Sequence, residues 1–143
     1  MGAAVAYSAY RRSAVETLSP RDLLVRLFEG LERFVESAAQ AIDTHHYEAA
    51  SKNCRRVRDI LFELQSTLNF KDGGEIARQL NELYDFMTRE VIEASLMKES
   101  NKLRQLQRVI RPLKEGWQGI PDAHAHTTSL TGDQRSSIIN MRG

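Results

Sequence analysis

Apolar residues recur at steps of three and four along four stretches of the chain, which is the spacing of one face of an α-helix. The stretches cover residues 20–43, 47–68, about 75–97 and about 100–117. Almost nothing alternates with the two-residue period of a strand. The first stretch is the most regular, with Leu24, Leu27, Leu31, Phe34, Ala38 and Ala41 in line.

Short polar connections separate these stretches and carry helix-boundary residues. Ser19 is a suitable N-cap for the first helix, because the next residue, Pro20, is favoured at the first helical position. Ser100 is the expected N-cap of the fourth helix. The segment 69–74 ends in two glycines, which tolerate a positive φ. Because short connections force consecutive helices to be antiparallel, the sequence predicts an all-α, antiparallel up-down-up-down four-helix bundle over residues 19–117.

Two flanking segments fall outside the predicted bundle. Residues 1–18 place Tyr7, Tyr10, Val15 and Leu18 on one face of a short helix, which is too short to be stable alone and is expected to dock on the bundle or to move. Residues 118–143 contain glycine, proline and a run of Thr and Ser without periodicity, so the sequence predicts a flexible tail there.

Charge differs between the predicted helices. The fourth carries a net charge of +4, against −2 for the first and −3 for the third. A cyclic bundle places the fourth helix between those two, so we expect ion pairs along its rims. Pro112 lies inside the fourth helix and removes a backbone hydrogen bond, which predicts a kink or a weakened last turn.

Composition narrows the protein class. The formal net charge of +1 gives no bulk electrostatic argument for nucleic acid or an anionic membrane as a partner. The single cysteine, Cys54, excludes an intramolecular disulfide and falls on the inward stripe of the second helix. No apolar run approaches the ~20 residues of a spanning helix. A cytoplasmic protein without stable membrane insertion is therefore expected.

Candidate catalytic chemistry is sparse. The chain has no Glu-x-x-His motif for a di-iron site, no phosphate-binding glycine loop and no nucleophile elbow, so we predict no enzyme, no cofactor and no metal site. His46 is the one candidate for a phospho-accepting histidine. A solvated loop histidine is the favoured interpretation, because His46 precedes the second helix instead of lying within it.

The predicted helices contain more large apolar residues than the core of a narrow four-helix bundle can bury. Either they widen the core or they line a groove for a partner helix. Gly30 interrupts the first helix at a cost of ~1 kcal/mol relative to alanine, which suggests either a surface accident or a close approach of a neighbouring backbone. The surplus residues are Phe28, Ile60, Phe62, Tyr84, Phe86 and Ile92.

Several of these segments together resemble the FliS family, the bacterial export chaperone for flagellin. The segment 19–24 (SPRDLL) followed by 27–30 (LFEG) is similar to the family's first-helix signature, in which the second part commonly reads Leu-Tyr-Asp-Gly. The paired tyrosines Tyr7 and Tyr10, the segments 73–77 and 83–86, and Trp117 also match. The resemblance covers roughly residues 5–117.

The resemblance implies a four-helix bundle that binds the disordered C-terminal region of flagellin in the cytosol, prevents its premature polymerisation and delivers it to the export gate of the flagellar secretion apparatus. A generic four-helix adaptor, a homodimer and a histidine phosphotransfer module remain the alternatives. The expected partner-binding residues, for flagellin or the export gate, are Tyr7, Tyr10, Val15, Leu18, Phe28, Gly30, Ile60, Phe62, Tyr84 and Phe86.

Overall fold

A computed structural model describes residues 19–120, which form four α-helices joined by short connections. The helices are α1 (Pro20–Asp43), α2 (Tyr47–Ser66), α3 (Phe70–Met97) and α4 (Ser100–Gln118). Helix α1 packs about equally against α2 and α4, whereas α3 packs against α2 and more sparsely against α4. The predicted up-down-up-down bundle is confirmed, with α4 closing the ring against α1.

One apolar stripe from each helix builds the core. Side chains of this kind stabilise the fold by about 1.5–3 kcal/mol each when they are fully removed from water. The stripes meet along the whole bundle axis, so the four helices form one core. Its fully buried members include Leu31 and Val35 of α1, Val57 and Leu61 of α2, Met87 and Val91 of α3, and Leu103 and Ile110 of α4.

The first turn of α1 is capped as predicted and is also tied to the end of α4. The Ser19 hydroxyl oxygen accepts a hydrogen bond from the Asp22 backbone N–H at 3.1 Å. The Arg21 guanidinium donates to the Asp22 carboxylate at 2.6 Å and to the Ile120 carbonyl at 3.1 Å. Residues 19 and 120 therefore lie at the same end of the bundle. Ile120 is buried, so the packed region continues past residue 117.

Two helix starts differ in detail from the prediction. Helix α3 is regular from about residue 75, as predicted, but one further turn precedes it from Phe70, because the Asn69 side chain accepts from the Asp72 backbone N–H at 3.0 Å and caps that turn. That turn ends at Gly74, whose φ of 53° and ψ of −126° bend the backbone in a region open to glycine. Ser100 is the first residue of α4 and not its cap, a position that Glu99 takes without a side-chain hydrogen bond.

Helix α4 forms ion pairs on both of its rims, as its charge predicted. These pairs lie at the surface and are partly exposed, so each contributes about 0–1 kcal/mol, but together they favour α4 between its two acidic neighbours. Pro112 does not end the helix, which continues to Gln118. The pairs are Lys102 with Glu90 and Glu93 of α3, Arg104 with Glu36 and Asp43 of α1, and both Arg111 and Lys114 with Glu32 of α1.

Asp43 is expected to make stability depend on pH. A hydrogen bond from the Ser100 hydroxyl and the Arg104 guanidinium 2.7 Å away lower the pKa of Asp43. A lowered folded-state pKa means that the stabilisation is complete above the unfolded-state value, about 3.9, and is lost as pH falls through the folded-state value. We therefore expect Asp43→Asn to lower the melting temperature at pH 7 and to match the parent at pH 2.

Melting curves of both proteins at pH 7, 5, 3 and 2 measure this convergence. Glu82→Gln is the matched control, because Glu82 is an exposed carboxylate of α3 without an ion pair among residues 19–120. A difference between Asp43→Asn and the parent that persisted unchanged at pH 2 would show that the carboxylate's charge is not its source.

Gln107 is the only buried amide or charged side chain among residues 19–120. Its Nε2 donates to the Glu32 backbone carbonyl of α1 at 3.0 Å, while its Oε1 has no hydrogen-bond partner within the described residues. An unsatisfied buried acceptor costs about 1–3 kcal/mol. An apolar residue here would avoid that cost, so the bond from Gln107 links α4 to α1 at some expense of stability.

Candidate functional site

Several large apolar side chains remain exposed on the described surface instead of joining the core. Leu96 of α3 is 73% exposed and Phe62 of α2 is 70% exposed, which are the highest values among them. Contiguous exposed apolar surface on a globular protein marks interaction sites. The full set is Tyr47, Phe62, Phe70, Phe86, Ile92, Leu96 and Met97.

Two of these residues, Ile92 and Leu96, line an open groove between α2 and α3. They lie one helical turn apart on α3 and form an apolar wall. The opposite wall, on α2, carries the guanidinium groups of Arg55 and Arg58. The groove encloses a volume of about 210 Å³ and is lined by Ser51, Cys54, Arg55 and Arg58 of α2 and by Val91, Ile92, Ser95 and Leu96 of α3.

The floor of the groove is part of the core. Cys54 is 2% exposed and Val91 is fully buried. Burial raises the pKa of the Cys54 thiol, against the opposing effects of a hydrogen bond with Ser95 and the positive charge of Arg58. A buried thiol with a raised pKa is protonated at neutral pH and a poor nucleophile. The expected structural role of Cys54 fits this position, and the groove suits non-covalent binding.

Two predicted partner-binding residues belong to the core instead. Phe28 is 0% exposed and Tyr84 is 1% exposed. Burial also raises the pKa of Tyr84, as expected for a phenol removed from water. Neither ring is accessible to a partner in this structure, so both residues widen the core, which was the other interpretation of the apolar surplus.

Gly30 and Ile60 meet at the contact between α1 and α2. A Cβ atom built on Gly30 would lie 3.1 Å from the Ile60 Cδ1, and both residues are buried. The neighbour at Gly30 is therefore a side chain of α2, and among residues 19–120 no backbone of another helix lies within 4 Å of that Cβ position. Neither residue is accessible on the described surface, which places them outside any open binding site.

Phe62 and Phe86 are both exposed, but the structure does not bring them together. Phe62 follows Arg58 by one turn of α2 and so continues the same flank of that helix. Phe86 precedes Glu90 by one turn of α3, and Glu90 forms an ion pair with Lys102 of α4. Phe86 therefore lies on the flank of α3 that faces α4, away from the groove.

The remaining predicted site residues, Tyr7, Tyr10, Val15 and Leu18, lie outside the described residues. His46 is exposed at the N-cap of α2, where its Nδ1 is 2.8 Å from the Thr44 hydroxyl oxygen. Within residues 19–120, no cluster of His, Cys, Asp or Glu could hold a metal ion. The same part of the chain has no helix long and apolar enough to cross a membrane.

Sequence reasoning missed Leu96, Arg55 and Arg58 as groove residues. Leu96 follows Ile92 by four positions, so the two residues share one face of α3. That face differs from the inward stripe through Val91 and Ala94, and an apolar pair outside the inward stripe could have indicated a surface groove. The two arginines belong to the segment 52–58, in which four of seven residues are basic.

Sequence comparisons with known proteins indicate the family of this chain. The sequence profile of the family described as flagellar protein FliS matches residues 3–124. The flagellar secretion chaperone FliS of Bacillus subtilis is 28% identical over 111 residues, which cover 78% of this chain and 82% of that protein. The Vibrio cholerae protein of the same name is 29% identical over 126 residues, covering 85% and 92% respectively.

A third relative, the flagellar secretion chaperone FliS of Campylobacter jejuni, is 30% identical over 116 residues, which cover 81% of this chain and 91% of that protein. The profile match spans most of the chain, including all four helices. This chain therefore belongs to the FliS family of flagellar proteins.

Proposed function

We propose that this protein is a flagellar secretion chaperone that binds the C-terminal region of flagellin in the cytosol, prevents its premature polymerisation and delivers it to the export gate. The observation that carries the proposal is the open groove between α2 and α3, with Ile92 and Leu96 exposed along one wall. Membership of the FliS family supports the chaperone role, since the relatives compared are named flagellar secretion chaperones.

The physical case rests on what a polymerising subunit exposes. A segment that later packs into a filament carries an apolar face before assembly, and a helical bundle with an apolar groove can cover that face reversibly. Ordering a disordered client costs about 2–5 kcal/mol or more of the gross interaction energy, and apolar burial offsets this cost. Binding is therefore expected with a negative heat-capacity change.

Isothermal titration calorimetry with a flagellin C-terminal segment at several temperatures tests the proposal. Leu96→Asp is expected to weaken binding about tenfold or more, because it replaces apolar contact with a charge that must lose water. The matched control is Phe70→Asp, since Phe70 is also exposed and apolar but does not line the groove. Absence of binding by the parent protein, or equal losses in both variants, would contradict the proposal.

The other predicted contacts stay predictions. Tyr7, Tyr10, Val15 and Leu18 share one predicted face in the segment 1–18, and we propose that they contact flagellin or the export gate. Phe86 is exposed on the opposite flank of α3 and suits a second contact, with the client or with another copy of the chain.

A further inference from the structure

We propose that the groove between α2 and α3 selects an acidic amphipathic helix, whose carboxylates pair with Arg55 and Arg58 while its apolar face packs on Ile92 and Leu96. This inference rests on the proposed function, because it names the chemical class of the segment that the same groove takes. The apolar wall alone would bind any amphipathic helix, whereas the inference requires that the helix also carry negative charge.

The first support is that the cations beside the groove lack carboxylate partners within the described part of the chain. Helix α2 carries Lys52, Arg55, Arg56 and Arg58 within seven residues, and all four are exposed. Among residues 19–120 none of them forms an ion pair with a carboxylate. Arg56 instead lies over the Phe34 ring of α1, 5.3 Å from its centroid. Arg55 and Arg58 are left facing the groove.

Most basic residues of α4, in contrast, form ion pairs within the bundle. Lys102, Arg104, Arg111 and Lys114 each pair with a carboxylate of α1 or α3. Four of the five basic residues of α4 are thus paired within residues 19–120, whereas none of the four basic residues in the segment 52–58 of α2 is. An unmatched positive strip beside an apolar wall is complementary to a partner that supplies negative charge.

The geometry of the two walls fits a helix. Arg55 and Arg58 are three residues apart on α2, and Ile92 and Leu96 are four apart on α3, so each pair lies on one face of its helix with about 5–6 Å between Cβ atoms. A partner helix repeats its side chains at the same intervals. Its carboxylates at i and i+3 or i+4 can face α2 while its apolar stripe faces α3.

The apolar wall also favours a peptide over a general polyanion. A nucleic acid presents phosphates and sugars along its length and would leave Ile92 and Leu96 without apolar partners, and the whole chain carries a net charge of only +1. An amphipathic helix satisfies both walls together.

Three 18-residue helical peptides that share one leucine face test the inference. Their flanking positions are all glutamate, all glutamine or all lysine. The parent protein is expected to bind the glutamate peptide about tenfold more tightly than the glutamine peptide in fluorescence anisotropy, and raising NaCl from 50 to 500 mM should reduce the difference. The Arg55→Glu, Arg58→Glu variant should prefer the lysine peptide instead.

Arg26→Glu, Arg108→Glu is the matched control, because these arginines are exposed, unpaired with a carboxylate among residues 19–120, and outside the groove. This control should keep the preference for glutamate. Equal affinities of the parent for all three peptides, an equal loss in the control, or equally tight binding of a 20-nucleotide single strand would overturn the inference.

A flagellin C-terminal segment titrated into the same preparations separates the two proposals. If the parent fails to bind it, the proposed function fails. If the parent binds it but Arg55→Glu, Arg58→Glu leaves the peptide preference unchanged, only the charge requirement fails. Thermal unfolding of each variant shows that the exposed substitutions leave the bundle folded.

Discussion

Tyr84→Ala is expected to lower the free energy of unfolding by about 3–5 kcal/mol, because it empties a site that a large aromatic ring fills in the core. Tyr84 is 1% exposed and packs in the same cluster as Met87 and Val91. Phe62→Ala is the contrasting change: the ring is 70% exposed, and loss of an exposed side chain usually alters stability by no more than about 0.5 kcal/mol. Urea denaturation followed by circular dichroism measures both.

Tyr84→Phe is the control for the hydroxyl group, and it should retain most of the stability because the ring volume is kept. The same three variants titrated with a flagellin C-terminal segment separate stability from binding. If Tyr84→Ala were as stable as the parent and bound the segment more weakly, the placement of Tyr84 in the core would be wrong.

Gly30→Leu is expected to destabilise the bundle by about 3 kcal/mol, at the upper end for overpacking of a core. A Cβ atom on Gly30 already meets the Ile60 Cδ1 at 3.1 Å, so the further carbons of leucine require the buried Ile60 side chain to move or α1 and α2 to separate. Chemical denaturation of the purified variant measures the loss.

A double-mutant cycle with Ile60→Val identifies the cause, because valine lacks the Cδ1 atom that Gly30 faces. The combined variant should recover at least ~1 kcal/mol relative to the sum of the single changes. Gly30→Ala should be nearly neutral, since its gain of up to ~1 kcal/mol in helix propensity opposes the tight contact. Additive effects of Gly30→Leu and Ile60→Val would exclude this contact as the source.

The fold was predictable because the three-four spacing is long and unbroken in all four helices. The residues that face the core were harder to predict, because a wide apolar stripe contains adjacent apolar residues and any of them could point inward. In α3 the buried line passes through Leu80, Tyr84 and Met87, although Leu83 fits the same spacing and lies only partly buried. Adjacent residues of a helix point in directions that differ by about 100°. That difference is enough to move a side chain from the core to the edge of the bundle.

The site was harder to predict because it depends on how two helices face each other. Phe28 and Phe62 are both surplus aromatic residues in the sequence, yet one is fully buried and the other exposed. The spacing of apolar residues within one helix does not show how much of that helix's surface the neighbouring helices cover. The cations of α2 and α4 look alike in the sequence as well, and only the packing shows which of them have carboxylate partners.

The pairing of α1 with α4 has a consequence for synthesis of the chain. This contact joins the first and last helices, and the Ser100–Asp43 hydrogen bond alone spans 57 positions. At about 5–20 residues per second, roughly 4–15 seconds separate completion of α1 from completion of α4 on the ribosome. Throughout that interval the side of α1 that later packs against α4 lacks that helix, so its apolar residues are available for association with other chains.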